Sequence, residues 1–581
     1  MNVQAARQLF HDKQYMGSID LYQRLIQAEP ANAILYIELS SALIAVGQVD
    51  EALVVAKQGC KYASPEFMVH CENQLAQIFL LQKRYDLAEE KFHQVIRSSP
   101  EFLEAYIGIS SVYLRTGYAT KACSILEHCE SIGGHVQRWA HNYSQALFES
   151  RKAEKAIKQI LLFTDRYGLD PVLATNAWMF NSYVEALDRS IALRLTNLVK
   201  GSIHNKVFPA KSGVEINRNH CLRVGFISSD FWFHPVGQFF ASFINELRSQ
   251  DVEIHLFSNG SVEDEWTRRI RDSVTSFISV RDLTAKEAAK QIEEQELDVL
   301  IDLSGPTAGN RFDIFALRPC AVQATYLGFP DSTHLPFIDY VLTDERHVPH
   351  SAQHLYSEKI AYIEDLRFCF SEPIHSPRLA SPPVISNGYL TFGSFANPAK
   401  ISDACLKFWC SALVAIPNSR LRLQHKQWVD LLLQKEVLDE MSNHGVSVGR
   451  IEFHGCVKYD EYMEAYSRID LVLDTLPFTG GTTTCEALWA GVPVLTVEGG
   501  AASSRQSAAI LRSLGFDGFV ASSVQQGLEV LKDIASNVSA LVRFKEEVRG
   551  RISKSVLGDP TRFAKNFKDA IEKIVSSSHR K

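Results

Sequence analysis

Apolar positions in the first 136 residues recur at helical spacing between short polar turns, which predicts pairs of packed helices. Four turn-like dipeptides stand about 34 residues apart: Gln14-Tyr15, Gly47-Gln48, Arg84-Tyr85 and Gly117-Tyr118. The helix after each turn carries a small residue that lets paired helices approach closely: Ser18, Ala52, Ala88 and Ala122. Prolines, which cannot continue a helix, recur 35 residues apart at Pro30, Pro65 and Pro100.

This period is typical of tetratricopeptide repeats, whereas an ordinary helical bundle would not keep it. Between residues 137 and 200 the pattern stays helical, at Ala153–Phe163 and Ala186–Val199, but the period is lost, as in terminal helices. A polar stretch from Lys200 to His220 follows. We therefore expect an α-solenoid of repeats over residues 1–136, and terminal helices with a linker over residues 137–220.

The pattern changes at residue 221 to short apolar runs that alternate with amphipathic helices. A strand without polar alternation is buried on both faces, so these runs predict a parallel sheet covered by helices. The predicted strands are Leu222–Ile227, Val252–Phe257, Asp298–Leu303, Ala321–Leu327 and Tyr340–Thr343. Together they indicate one Rossmann-like lobe over residues 221–372.

A proline-rich link over residues 373–388 precedes a second series of strands and helices. Its predicted strands are Tyr389–Phe392, Leu421–Leu423, Ile451–Phe453, Leu471–Leu473 and Val494–Val497. A second α/β lobe over residues 389–581 is therefore expected. Two such lobes form a cleft between the carboxyl ends of their strands, where ligands bind in this architecture.

Composition and charge exclude several classes of protein. The apolar fraction of 46% and charged fraction of 22% are those of a globular chain, and a net charge of −7 without a long basic run argues against nucleic-acid binding. The eleven cysteines lack metal-site spacing, so we expect reduced thiols. Because the sequence shows neither a signal peptide nor a membrane span, we expect a cytoplasmic protein.

The segment Thr479–Glu486 carries the strongest candidate chemistry. It follows the strand that ends near Asp474, and two glycines and three threonines open the next helix: Gly480, Gly481, Thr482, Thr483 and Thr484. Glycines permit close backbone approach, and the free N–H groups of a helix start form an anion site. The segment therefore predicts a diphosphate site, and a glycine turn with a threonine cap is the structural alternative.

Three further segments follow other strands of the two lobes. Lys400, in Phe392–Lys400, can meet a phosphate as a point charge, or it is a solvated surface lysine. His234, in Ser228–Pro235, can orient or relay a proton, or it caps the following helix. The loop Leu303–Arg311 offers flexible backbone to the same cleft, unless its glycines serve only the turn.

Together these segments resemble the O-linked N-acetylglucosamine transferase and SPINDLY family, particularly its compact bacterial members. The resemblance spans essentially the whole chain, with repeats followed by a two-lobed GT-B catalytic region. Its most specific motifs are Gly-Gly-Thr-Thr-Thr-Cys-Glu-Ala-Leu-Trp-Ala-Gly-Val-Pro-Val, residues 480–494, and Arg-Pro-Cys-Ala-Val-Gln, residues 318–323, which runs on to Leu-Gly-Phe-Pro at residues 327–330.

The resemblance implies a role for each matching position. His234 matches the histidine beside the sugar, once proposed as the base, and Lys400 matches the lysine that contacts the diphosphate, with Asn397 beside it. Residues 481–484 match the phosphate cradle, Glu486 an acidic residue that holds the ribose, and Val457 the position where a backbone amide group reads the nucleobase. The family chemistry is inverting transfer of a sugar to a protein hydroxyl, with no catalytic metal and no other cofactor.

Several positions depart from the family pattern. Pro306 and Tyr462 stand where bacterial relatives usually have histidine, and Gly481 where the animal enzymes have histidine. The main interpretation is transfer of N-acetylglucosamine from UDP-N-acetylglucosamine to serine or threonine of proteins bound along the repeats. GDP-fucose as donor, and UDP-glucose with an asparagine acceptor, are alternatives within the family. A repeat scaffold with a decayed transferase is the alternative outside it.

Overall fold

The computed structural model describes residues 2–134, 136–185 and 221–578, with single positions between residues 191 and 201. The chain forms two compact units, Met1–Ser150 and Arg151–Lys581. The predicted helices at Ala186–Val199 and the polar stretch Lys200–His220 fall almost entirely outside the described residues. The domain boundaries drawn from the sequence stay predictions.

The first unit consists of α-helices joined by short turns. They are α1 (Val3–His11), α2 (Tyr15–Ala28), α3 (Ala33–Ala45), α4 (Val49–Cys60), α5 (Met68–Leu81), α6 (Tyr85–Ser98), α7 (Leu103–Thr116), α8 (Ala119–Ser131) and α9 (Gln137–Glu149). The helix starts at Tyr15, Val49, Tyr85 and Ala119 confirm the predicted repeat.

Each turn within a repeat places one residue in the left-handed region of backbone conformation. These residues are Lys13 (φ 60°), Gly47 (φ 82°), Lys83 (φ 59°) and Gly117 (φ 90°). Arg151 (φ 66°) stands at the next such position, so the turn spacing extends one step beyond residue 137, where the sequence pattern lost the period.

The second unit begins with α10 (Ala153–Tyr167) and α11 (Pro171–Asn181). A seven-stranded parallel sheet follows, in the order β3-β2-β1-β4-β5-β6-β7. Its strands are β1 (Leu222–Ser228), β2 (Val252–Ser258), β3 (Ser276–Ser279), β4 (Val299–Asp302), β5 (Gln323–Thr325), β6 (Tyr340–Thr343) and β7 (Lys359–Tyr362). Its helices are α12 (Pro235–Ala241), α13 (Ile244–Arg248), α14 (Glu265–Asp272), α15 (Ala285–Glu293) and α16 (Phe312–Phe315).

A six-stranded parallel sheet forms the second lobe, in the order β10-β9-β8-β11-β12-β13. Its strands are β8 (Thr391–Ser394), β9 (Arg420–Gln424), β10 (Ile451–His454), β11 (Leu471–Leu473), β12 (Val494–Val497) and β13 (Val520–Ala521). Its helices are α17 (Val384–Asn387), α18 (Asp403–Ala415), α19 (Leu431–Asn443), α20 (Tyr459–Ala465), α21 (Thr482–Trp489), α22 (Gln506–Ser513), α23 (Val524–Ser536), α24 (Ser539–Lys554) and α25 (Pro560–Ser578).

The two sheets confirm the predicted Rossmann-like lobes, with differences at the strand ends and edges. The strand predicted over Ala321–Leu327 is confined to β5, because Leu327 has a positive φ of 70° and the chain turns there. The sequence pattern did not predict β3, β7 and β13, which are short edge strands. An edge strand pairs with a neighbour on one side only, so the run of apolar residues by which it would be predicted is weak.

The last helix joins the two lobes. Although α25 follows the second sheet, it packs its aromatic side chains on the first. The ring of Phe567 lies 6.2 Å from that of Phe226 on β1 and 5.2 Å from that of Tyr326 after β5. This helix therefore helps to fix the distance between the strand ends of the two lobes. None of the helices in the described part of the chain is long and apolar enough to cross a membrane.

Candidate active site

A cleft of about 660 Å³ lies between the two lobes, at the carboxyl ends of β1, β8, β9, β10 and β11. It is lined by eight of the ten residues that the sequence singled out: His234, Asn397, Lys400, Val457, Gly481, Thr482, Thr483 and Glu486. The structure therefore brings together side chains from segments more than 250 residues apart.

The amino-terminal end of α21 opens into this cleft. Gly481 is the N-cap residue and has no side chain to accept from the first N–H groups of the helix, so these groups remain available to a ligand. Asp474, at the end of β11, holds the loop before the helix, because its carboxylate accepts from the amide N–H groups of Thr475 (2.9 Å) and Gly480 (3.0 Å). A Cβ atom on Gly480 would collide with the hydroxyl of Thr484, which explains the glycine.

Lys400 approaches the same loop from the end of β8. Its Nζ donates to the carbonyl oxygen of Thr479 at 3.1 Å and lies 4.2 Å from the centre of the Phe478 ring. Burial lowers the pKa of Lys400 to about 8, although the nearby Asp474 carboxylate favours the charged form. The ammonium group is thus held in a poorly solvated position by a carbonyl and an aromatic face, beside the start of α21.

His234 both caps a helix and lines the cleft. Its Nδ1 accepts from the amide N–H of Val236 at 3.3 Å, so it is the N-cap residue of α12, as the structural alternative predicted. Burial lowers the pKa of His234, while Asp230, whose carboxylate oxygen lies 3.8 Å from Nδ1, favours its charged form. In the neutral ring an accepting Nδ1 places the proton on Nε2, which can then donate to a ligand.

Asn397 and Val457 contribute at two other strand ends. The side-chain oxygen of Asn397 accepts from the amide N–H of Ala399 at 3.0 Å and so fixes the turn Pro398–Lys400 that carries Lys400. Its amide nitrogen remains a potential donor. Val457 is 39% exposed in the loop after β10, so its backbone is accessible from the cleft.

Glu486 is 4% exposed, and its two carboxylate oxygens have separate partners. The hydroxyl of Tyr459 donates to Oε1 at 3.1 Å and that of Tyr462 donates to Oε2 at 2.9 Å. Burial raises the pKa of Glu486 to about 7, and the two tyrosine hydrogen bonds partly oppose that rise. The carboxylate is therefore held in one orientation at the wall of the cleft.

Two of the predicted residues and one predicted loop lie away from the cleft lining. Gly480 is behind the loop, and the buried hydroxyl of Thr484 pairs with that of Ser507 at 2.7 Å. Thr484 turns inward because successive residues of a helix point about 100° apart. The loop Leu303–Arg311 lines a separate cavity beside α11, and its amide N–H groups at Ser304 and Gly305 bond to the buried Asp302.

Sequence patterns did not single out several lining residues. The aromatic side chains of Tyr459 and Phe478 resemble ordinary core positions, although each contacts a predicted site residue. The sequence placed Tyr462 only as a departure from a family pattern. His425 and Lys426, after β9, also line the cleft. Among the described residues, no group of histidine, cysteine and carboxylate side chains could hold a metal ion.

The sequence profile of glycosyl transferase family 41 matches residues 179–373 and 384–567. The probable UDP-N-acetylglucosamine–peptide N-acetylglucosaminyltransferase SPINDLY of Solanum lycopersicum is 31% identical over 365 residues, which are 62% of this chain and 39% of that protein. The protein of the same name in Arabidopsis thaliana is 30% identical over 354 residues, 60% of this chain and 39% of its own length.

A solved structure of the Thermobaculum terrenum O-GlcNAc transferase, a mutant form, superposes with a TM-score of 0.82 at 23% identity, and the match covers 88% of this chain and 98% of that one. This likeness confirms the fold, with helical repeats followed by two Rossmann-like lobes. The chain spans about two fifths of the length of the SPINDLY relatives it matches. Because the family profile matches more than half of its residues, this chain belongs to glycosyl transferase family 41.

Proposed function

We propose that this chain is an inverting, metal-independent glycosyltransferase that transfers N-acetylglucosamine from UDP-N-acetylglucosamine to serine or threonine of protein substrates. The observation that carries the proposal is the convergence of Lys400 and the uncapped start of α21 on one cleft. An ammonium group and a helix amino terminus both favour a diphosphate. The family membership, and the activity for which the SPINDLY relatives are named, support the donor and the protein acceptor.

The leaving group explains why these two features matter. When the acceptor oxygen attacks the anomeric carbon from the opposite face, the bond to the diphosphate oxygen breaks and negative charge develops on the diphosphate, which then takes up the proton of the acceptor hydroxyl. Lys400 and the N–H groups of Gly481, Thr482 and Thr483 meet that charge in a poorly solvated site, where fixed dipoles and charges act most strongly. These groups take the place that a divalent cation has in metal-dependent enzymes.

His234 acts on the sugar side of the site in this proposal. Its Nδ1 is occupied by the amide N–H of Val236, so its Nε2–H donates to an oxygen of the bound donor or acceptor. Taking a proton at Nε2 would require the other tautomer and the loss of the helix cap. The role of His234 is therefore to orient the reacting groups rather than to act as the base.

The nucleoside occupies the part of the cleft between β9 and β10. Asn397 lies on the Lys400 side, the backbone at Val457 reads the nucleobase, and Glu486 accepts from the ribose hydroxyls. Protein substrates bind along the tetratricopeptide superhelix, because stacked repeats form an extended concave surface that suits peptide segments. Gly480 and Thr484 act indirectly, through the shape of the loop before α21.

A thermal unfolding experiment separates the candidate donors. The purified chain is heated with UDP-N-acetylglucosamine, UDP-glucose or GDP-fucose in excess chelator, since a ligand that binds the folded state raises the midpoint. We expect the largest rise with UDP-N-acetylglucosamine, and transfer of labelled sugar to protein in the same buffer. Lys400→Ala should lower turnover by about a hundredfold or more. No rise with any donor would favour the scaffold alternative, and near-normal transfer by Lys400→Ala would contradict the role of the lysine.

A further inference from the structure

Two tyrosines on one face of α20 hold Glu486 at the wall of the cleft. Tyr459 and Tyr462 are three residues apart on the helix, so their side chains project to the same side. Each hydroxyl donates to a different carboxylate oxygen, at 3.1 Å and 2.9 Å. All three residues line the cleft, so this arrangement faces the space that a ligand would occupy.

The number of hydrogen bonds that a carboxylate can accept indicates what this arrangement can bind. Each oxygen of an ionised carboxylate can accept about two hydrogen bonds. One tyrosine hydroxyl on Oε1 and one on Oε2 leave each oxygen able to accept one more. Two adjacent acceptors in a fixed plane are complementary to two neighbouring hydroxyl groups, each of which donates once.

The surroundings keep the carboxylate from adopting other orientations. The hydroxyl of Tyr466 lies 3.2 Å from that of Tyr462 and also contacts the carbonyl oxygen of Thr483, which fixes Tyr462 from behind. The ring of Tyr459 packs edge to face on Phe233, with centres 4.9 Å apart. Tyr466 and Cys485 are the other titratable groups that act on this cluster, and burial raises the pKa of both, so they stay neutral near pH 7.

We propose that Tyr459 and Tyr462 are specificity-determining positioning residues, which hold Glu486 as a two-point acceptor for the vicinal diol of a ribose and so select ribonucleotide over 2′-deoxyribonucleotide donors. The inference rests on the proposed function, because it takes the occupant of the cleft to be a nucleoside diphosphate. It assigns to the two tyrosines a role in substrate choice that the sequence pattern alone does not suggest.

The test compares ribonucleotide and deoxyribonucleotide binding by calorimetry. UDP, 2′-deoxy-UDP, GDP and 2′-deoxy-GDP are titrated into the full chain and into Tyr459→Phe, Tyr462→Phe, the double variant and Glu486→Gln. Tyr362→Phe is the matched control, because it removes a tyrosine hydroxyl on the edge strand β7, which donates to the carbonyl oxygen of Val348 and accepts from the side-chain amide of Gln353. Melting curves show that each variant is folded.

We expect the unchanged protein to bind its ribonucleotide at least about tenfold more tightly than the 2′-deoxy form, as the loss of one hydrogen bond to a charged acceptor implies. That ratio should fall to within about threefold in the double variant and in Glu486→Gln, and stay unchanged in Tyr362→Phe. The ratio is informative even if a variant loses overall affinity, since a purely structural role would weaken the binding of both nucleotides by the same factor.

Two outcomes would overturn the inference while leaving the proposed function intact. One is equal binding of UDP and 2′-deoxy-UDP by the unchanged protein, and the other is a ribose preference that survives in the double variant. Absence of binding by all four nucleotides would instead contradict the proposed function itself, and the inference with it.

Discussion

Lys400 shows how much one residue depends on its surroundings. A lysine at a strand end is usually hydrated, but this ammonium group is removed from water, 3.1 Å from the carbonyl oxygen of Thr479 and over the ring of Phe478. Burial brings its pKa down to about 8, within the range in which enzymes work. The proposed diphosphate would supply this ammonium group with a counter-charge in addition to the nearby Asp474 carboxylate.

The pKa of Lys400 predicts the alkaline limb of the activity profile. The ammonium form, which would contact the proposed diphosphate, predominates below about pH 8 and is lost as the pH rises through that value. The pH dependence of kcat/KM reports the pKa values of groups in the free enzyme, so kcat/KM should fall above about pH 8. In Lys400→Arg the guanidinium stays charged, so whatever activity remains should not show this fall. A profile of the unchanged protein that stays flat to pH 9.5 would contradict the assignment.

The raised pKa of Glu486 predicts that nucleotide binding weakens at acid pH. Its pKa is raised to about 7 by burial, so the carboxylate that would accept from the ribose is present above that pH and protonated below it. The dissociation constant for UDP should therefore rise as the pH falls from 8 to 6. In Glu486→Gln, binding should be weaker than in the unchanged protein by about tenfold or more at pH 8, and this difference should shrink as the pH falls to 6, because Lys400 titrates in both proteins alike. Calorimetric titrations at three pH values check both statements.

The residues that could be predicted from the sequence are those that follow buried strands. His234, Lys400 and Gly481 each come after a strand whose apolar run is unmistakable, and parallel strands end at one edge of a sheet. The tyrosines of α20 could not be predicted in this way, because an aromatic residue at helical spacing is usually part of the core. Thr484 was included in the predicted cradle by residue type alone, and the direction of its side chain depends on where α21 begins.

At the scale of elements, the repeat unit is specified by close helix contacts. Ser18, Ala52, Ala88 and Ala122 are fully buried, as their small size in the pattern predicted. Gly108 has the same role in α7, since a Cβ atom there would collide with the ring of Phe92. These contacts leave a clear signal in the sequence because they recur with the period of the repeat.

Two glycines in this unit should respond to alanine in opposite directions. Gly108→Ala forces a shift of Phe92 and should lower the free energy of unfolding by about 1–3 kcal/mol. Gly17→Ala places its Cβ 3.6 Å from Leu9 on the exposed side of α2, an ordinary contact, and should raise that free energy by about 0.5–1 kcal/mol through helix propensity. Scanning calorimetry of the full chain measures both. Equal shifts in the two variants would contradict the packing described for α7.

At the scale of the whole molecule, the second unit is held by contacts between distant parts of the chain. The α25 helix packs the ring of Phe567 against that of Phe226 on β1, within a cluster of buried apolar side chains. Nothing in the apolar pattern of α25 shows which lobe it covers, so the two lobes could be predicted but not what joins them. The short edge strands β3, β7 and β13 escaped prediction because each pairs with one neighbour only and carries few apolar residues.

In the proposed function the cleft holds a nucleoside diphosphate with its phosphates on α21 and Lys400. A crystal structure of the protein with UDP, grown in chelator, tests it most directly. We expect the diphosphate within hydrogen-bond distance of the amide N–H groups of Thr482 and Thr483 and of Lys400 Nζ, with the ribose at Glu486. A nucleotide bound elsewhere, or bound in this cleft with its phosphates turned away from α21, would contradict it.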